Sequence, residues 1–151
     1  MAENIRQYVT FSLNKEKYGI DIMGVDEILK VTEITPIPKA PDFIEGIINI
    51  RGKVLPVVDL KKKLSLGEIT ETEKARIIVT NINGKKLGFL VDEVFEVLRI
   101  EEKLIDDAPA LTVDLDSNYI EGVAKTDKGM IILLDIKKIF SPYEQKQFSS
   151  F

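Results

Sequence analysis

Two stretches of this chain are versions of one another. FIEGIINIRGKVLPVVDLKKKL, residues 43–64, lies over YIEGVAKTDKGMIILLDIKKIF, residues 119–140, without a gap. Phe43 meets Tyr119, Ile44-Glu45-Gly46 meets Ile120-Glu121-Gly122, Val57-Val58-Asp59 meets Leu133-Leu134-Asp135, and Lys61-Lys62 meets Lys137-Lys138. Upstream, KYGIDI from Lys17 resembles KLGFLV from Lys86, and residues 8–14 lie over 77–83. A period this long points to a small domain built twice, because a solenoid needs several shorter repeats. One unit spans residues 8–64 and the other 77–140, with a polar connector at 67–74; exchange of strands between the units stays open.

Each unit reads as β-rich. Tyr8, Thr10 and Ser12 alternate with Val9, Phe11 and Leu13, the period of a half-buried strand, and a polar turn at 14–17 leads into a partner over 18–22. The matching hairpin joins 75–82 to 86–91 through Asn83-Gly84, residues that favour positive φ. Val25, Ile28 and Leu29 fall at helical spacing, which predicts one or two helical turns over 23–29 and extended chain over 30–34. Pro36, Pro38 and Pro41 then impose a rigid, ladder-breaking path. Residues 47–50 and 54–58 flank Arg51-Gly52 as another hairpin, and Asp59 is placed to cap a short helix through Leu64. Asp135 predicts the same in the second unit, and Ser141, Pro142 and Glu144 form a capping box for a terminal helix through Phe148. Short strands, frequent turns and brief helices favour two small barrels, which leave few free sheet edges.

Chemistry is narrowed by what is missing. The 151 residues include no Cys and no His, which removes thiolate nucleophiles, imidazole bases, disulfides and the usual zinc and copper ligands. No phosphate-cradling glycine loop, metal-ligand spacing or nucleophile elbow occurs. Asp106-Asp107, or Asp114 with Asp116, could hold magnesium or act as a carboxylate pair, but a solvated loop over 105–118 is the simpler reading. No cofactor and no metal is expected. The net charge of −4 argues against nucleic acid as a main partner, and Lys61, Lys62 and Lys63 read as a solvated helix face. No apolar run approaches bilayer length and the N-terminus lacks a signal pattern, so a cytoplasmic location without membrane insertion is the expectation.

Four stretches together resemble the CheW family of bacterial chemotaxis coupling proteins: YVTFSLNKEKYGIDIMGVDEIL, ITPIPKAPDFIEGIINIRGKVLPVVDL, GFLVDEVFEVLRI and YIEGVAKTDKGMIILLDIKKI. The most specific part is residues 43–60, with the EG, N-x-RG and P-V-x-D-L elements. The resemblance implies a mainly β fold of two SH3-like five-stranded β-barrel subdomains with short helices and a C-terminal helix. It also implies a non-enzymatic adaptor that links the cytoplasmic tip of chemoreceptors to the regulatory domain of the histidine kinase CheA, at membrane-associated receptor arrays.

Carried over residue by residue, the resemblance assigns receptor binding to Glu27, Ile28, Gly46, Arg51, Val94 and Val97, with Arg51 as the N-x-RG arginine beside the acidic Glu27. It assigns kinase binding to Val9, Ile22, Val25, Asp106 and Leu111. For the apolar positions, core packing is the competing reading, because alternation alone does not say which face is exposed. For Arg51 the competing reading is a solvated turn arginine. Other whole-chain readings are a coupling module of a larger relative, which the start and end of the chain argue against, a small barrel binding nucleic acid, and an enzyme using carboxylates.

Overall fold

The computed structural model describes residues 4–70, 72–107 and 119–148. Hairpins dominate. β1 (Ile5–Leu13) and β2 (Glu16–Asp21) pair antiparallel across a turn at Asn14 and Lys15, both with positive φ. β4 (Ile44–Ile50) and β5 (Lys53–Asp59) pair across Arg51-Gly52. β6 (Arg76–Ile82) and β7 (Lys85–Val91) pair across Asn83-Gly84, and β10 (Ile120–Thr126) pairs with β11 (Gly129–Leu134). The remaining strands are β3 (Val25–Lys30), β8 (Glu93–Glu101) and β9 (Ile105–Asp107).

These strands make two sheets, with orders β3-β6-β7-β5-β4 and β8-β1-β2-β11-β10-β9. The orders are the same arrangement built twice, and β9 is the extra strand of the second. Each sheet mixes strands from both sequence repeats. The β6–β7 hairpin of the second repeat sits between strands of the first through a parallel pairing of β7 with β5, and β1–β2 sits among strands of the second through a parallel pairing of β2 with β11. Of the described residues, one compact unit comprises 4–24 with 95–107 and 119–148, and the other lies within Val25–Val94. The fold is mainly β with two SH3-like sheets, and among the described residues the strand pairings do not close either sheet into a barrel.

Each unit has its own apolar cluster. In the Val25–Val94 unit it is Ile48, Leu55, Val57, Ala75, Ile77, Val79 and Leu90, the inward positions of alternating strands. In the other it is Tyr8, Ile100, Ala124, Ile131 and Leu133. The duplicated Glu-Gly dipeptide has one geometric cause in both. Gly46 and Gly122 each sit at a bulge, where a Cβ would lie 2.2 Å from Thr35 O and 2.6 Å from Asp106 O respectively. At Gly46 the close approach carries an isolated bridge, Thr35 N to Ile47 O and Ile47 N to Thr35 O, each 2.9 Å.

Local capping follows the sequence in part. Asp59 caps α1 (Leu60–Lys63), and Ser141 and Glu144 exchange hydrogen bonds of 2.8 and 3.1 Å at the start of α2 (Pro142–Phe148). The expected helix over 23–29 is corrected: a single 3-10 turn, Ile22–Gly24, leads directly into β3, which pairs with β6. A seven-residue helix is too short to hold against a five-position ladder that also half-buries Val25, Glu27 and Leu29. The expected extended run over 30–34 leaves the ladder after Lys30 and bridges again at Thr35. After Asp135 there is a turn rather than a helix. Its carboxylate accepts from Lys137 N at 2.9 Å, and Lys138 N donates to Asp135 O at 3.0 Å, the i→i+3 bond of a turn.

Candidate docking surfaces

The apex of the β4–β5 hairpin is a tight turn in which Arg51 and Gly52 have φ of 50° and 83°. Asn49 Oδ1 accepts from Gly52 N at 3.0 Å and holds the turn shut. From this fixed base Arg51 reaches across to Glu27 on β3, with Nη2 to Oε2 at 2.5 Å and Nη1 to Oε1 at 3.5 Å. The fork fixes direction as well as distance, which a lysine could not. The hydrogen bond to Glu27 raises the Arg51 pKa. The arginine side chain is 72% exposed, so its remaining donors are open to a partner.

The other receptor-assigned residues fall in several places. Ile28 follows Glu27 and is exposed, Val94 is half-buried at the start of β8, and Val97 is exposed on the same strand. Gly46 is buried, and its role in the fold is the close approach to Thr35. Among the kinase-assigned residues, Val9 is buried and paired with Ile20 on β2, the position of a core residue. Ile22 and Val25 are half-buried. Asp106 is exposed on the edge strand β9 and pairs with Lys125 at 2.9 Å. Leu111, Asp114 and Asp116 lie outside the described residues.

The lysine run is not a simple solvated face. Lys61 pairs with Asp92 at 3.3 Å, Lys62 pairs with Glu45 at 3.0 Å, and Lys63 lies over the Phe43 ring at 5.3 Å. The Glu45 hydrogen bond raises the Lys62 pKa. Carboxylates therefore already neutralise two of these cations locally. Among the described residues, no group of three or more potential ligands could hold a metal ion.

Several exposed apolar residues carry no signal in the motifs. Met23 is 89% exposed on the 3-10 turn, and Val54, Phe95 and Met130 are exposed on strands. A network of half-buried side chains fixes the turn that presents Met23: Asp21 accepts from Met23 N at 2.9 Å and from Arg6 at 3.1 Å, while Arg6 also pairs with Glu121 at 2.7 Å. Tyr8 donates to Glu121 at 3.4 Å, and burial, with Glu121 beside it, raises the phenol pKa and keeps it a donor.

Residues 7–144 match the family model described as CheW-like domain. The chain belongs to this family. Chemotaxis protein CheW of Treponema pallidum is 36% identical over 99% of this chain and 92% of its own length. Chemotaxis protein CheW of Thermotoga maritima is 34% identical over 97% of each. The crystal structure of the scaffolding protein TtCheW from Thermoanaerobacter tengcongensis matches with a TM-score of 0.83 at 45% identity, covering 91% of this chain and 94% of that one. A CheW-like chain is a scaffold of chemotaxis, a non-catalytic kind of protein. No helix among the described residues is long and apolar enough to cross a membrane.

Proposed function

We propose that this chain is an adaptor coupling chemoreceptors to the regulatory domain of the histidine kinase CheA, working in the cytoplasm at receptor arrays and making or breaking no bond in any substrate. Membership of the CheW-like family supports the reading, and the observation that carries it is the Arg51–Glu27 fork at the apex of a braced hairpin. A cation held in fixed orientation, with exposed Ile28 next to its carboxylate, suits recognition of a helical surface that offers an acidic or amide group beside an apolar ridge. Kinase docking falls to the turn that carries Ile22 and Met23, and to Val25 and the segment around Asp106. Two faces on one chain let it bridge partners, and modest contacts gain strength when many bridges act together.

Calorimetric titration tests this directly. The protein is expected to release or absorb heat with both the CheA regulatory domain and a receptor-tip fragment, and to hydrolyse no nucleotide. Silence with both partners would overturn the assignment.

A further inference from the structure

The two sheets share a strand order, so each position in one has a counterpart in the other. The offset that lays residues 8–14 over 77–83 also lays β3 over β8, VDEILK over VFEVLR, which places Glu27 at Glu96 and Ile28 at Val97. The offset of the downstream repeat places Val54 at Met130. The exposures agree: Ile28 and Val97 are 41% and 44% exposed, and Val54 and Met130 are 63% and 66%. An ion pair repeats as well. Glu27 on β3 pairs with the hairpin-tip Arg51, and Glu96 on β8 pairs with Lys128 at the tip of the β10–β11 hairpin. Asp127 stands at Arg51's own position, and Lys128, one residue on, supplies the cation.

Core packing does not explain this recurrence, since all four apolar side chains are in solvent. Exposed ion pairs contribute little to stability, so the fold does not require it either. From the duplicated constellation we infer that the unit containing Phe95 and the residues after it carries a second receptor-docking face, formed by Phe95, Glu96, Val97, Lys128 and Met130. The inference rests on the coupling function proposed above; the resemblance already assigns Val97 to receptor binding, and what is new is the placement of Phe95, Glu96, Lys128 and Met130 around it.

Charge identifies the occupant as the receptor tip, through an amphipathic segment bearing carboxylates. The Lys17 ammonium lies over the Phe95 ring at 5.7 Å and donates to Lys128 O at 3.4 Å, so two cations frame the apolar pair. An apolar ridge seats against Val97 and Met130, and its carboxylate takes a donor from Lys128 as Glu96 gives way or shares. This is the chemistry of the Arg51 face, which has the same arrangement of apolar groups and a cation.

Full-length variants and a soluble receptor-tip fragment test the assignment by calorimetry, with the CheA regulatory domain titrated in parallel. Lys128→Glu and Met130→Asp are each expected to weaken receptor-tip binding about tenfold, the effect of losing one anchoring contact. Kinase-domain binding and the melting temperature stay at wild-type values. The charge-swapped double variant, Lys128→Glu with Glu96→Lys, restores the ion pair but not receptor affinity. Unchanged receptor affinity in both single variants, equal losses for both partners, or recovery of receptor affinity by the swap would each overturn the second face. If the unmodified protein shows no receptor-tip binding, the coupling function fails, and this inference with it.

Discussion

A side chain at a turn apex contributes little to stability, so Arg51 separates docking from folding more cleanly than any core residue does. Its guanidinium is in solvent apart from the Glu27 fork, and an exposed pair of this kind contributes little to stability. Arg51→Ala is therefore expected to leave the thermal unfolding midpoint nearly unchanged while weakening receptor-tip binding in calorimetry. Arg51→Lys should fall between them, because one ammonium cannot span both carboxylate oxygens. Loss of the folded state in either variant would make Arg51 structural. Glycines separate space from strain in the same way. A Cβ at Gly46 would meet backbone, Thr35 O at 2.2 Å, at a φ of 150°, whereas Gly52 has a φ of 83° with nothing within 4 Å. Urea unfolding should show Gly52→Ala costing about 1 kcal/mol, the left-handed penalty alone. Gly46→Ala should cost about 3 kcal/mol or more, because the bulge must open as well. Equal costs would mean that the Thr35 approach is not rigid.

At the scale of elements, the legible features were those written in adjacent residues. Asn83-Gly84 and Arg51-Gly52 turn where positive φ is allowed, and Asp59 caps because its side chain reaches amides two and three residues on, Lys61 N at 2.9 Å and Lys62 N at 3.2 Å. The third bond, Asp59 Oδ2 from Ile69 N at 3.0 Å, crosses to the connector and has no local signature. Strand β3 departs from its local pattern for the same reason. The helical spacing of Val25, Ile28 and Leu29 is intrinsic to the segment, but the pairing that decides its conformation is with β6, far along the chain. Asp59 also gives a pH prediction. Burial raises its pKa, against the three amide bonds that lower it, and the charge of Glu45 raises it further, so the folded value lies above the unfolded one. Its contribution to stability is then fully present below the unfolded pKa and is lost as pH rises through the folded pKa. The stability advantage of the parent over Asp59→Asn, measured by urea unfolding across the carboxylate range, should shrink as pH rises. An advantage that grows with pH would show that the amide bonds outweigh burial.

For the whole molecule, the duplication is plain in residues 43–64 and 119–140, but the partners of each hairpin are not. Tyr18, Gly19 and Ile20 pair in parallel with Ile132, Leu133 and Leu134, and nothing in the alternation of either segment selects the other. The docking faces divide similarly. Arg51 was legible through its motif, whereas Lys128 and Met130 emerge only when strand order aligns two hairpin tips whose sequences, RGKV and DKGM, differ. The exchange has a consequence for folding. Residues 25–94 contain β3 to β7, every strand of the five-stranded sheet, together with the whole cluster from Ile48 to Leu90. Residues 8–64, a complete copy of the sequence repeat, lack β6 and β7, so β3 loses its ladder partner and β5 its parallel neighbour. Unsatisfied edges and a divided core cannot offset the entropy of ordering the chain. Expressed separately, the 25–94 fragment is expected to show β-sheet circular dichroism and one cooperative urea transition, and the 8–64 fragment neither. A folded 8–64 fragment beside a structureless 25–94 would make the sequence repeat, and not the sheet, the unit of folding.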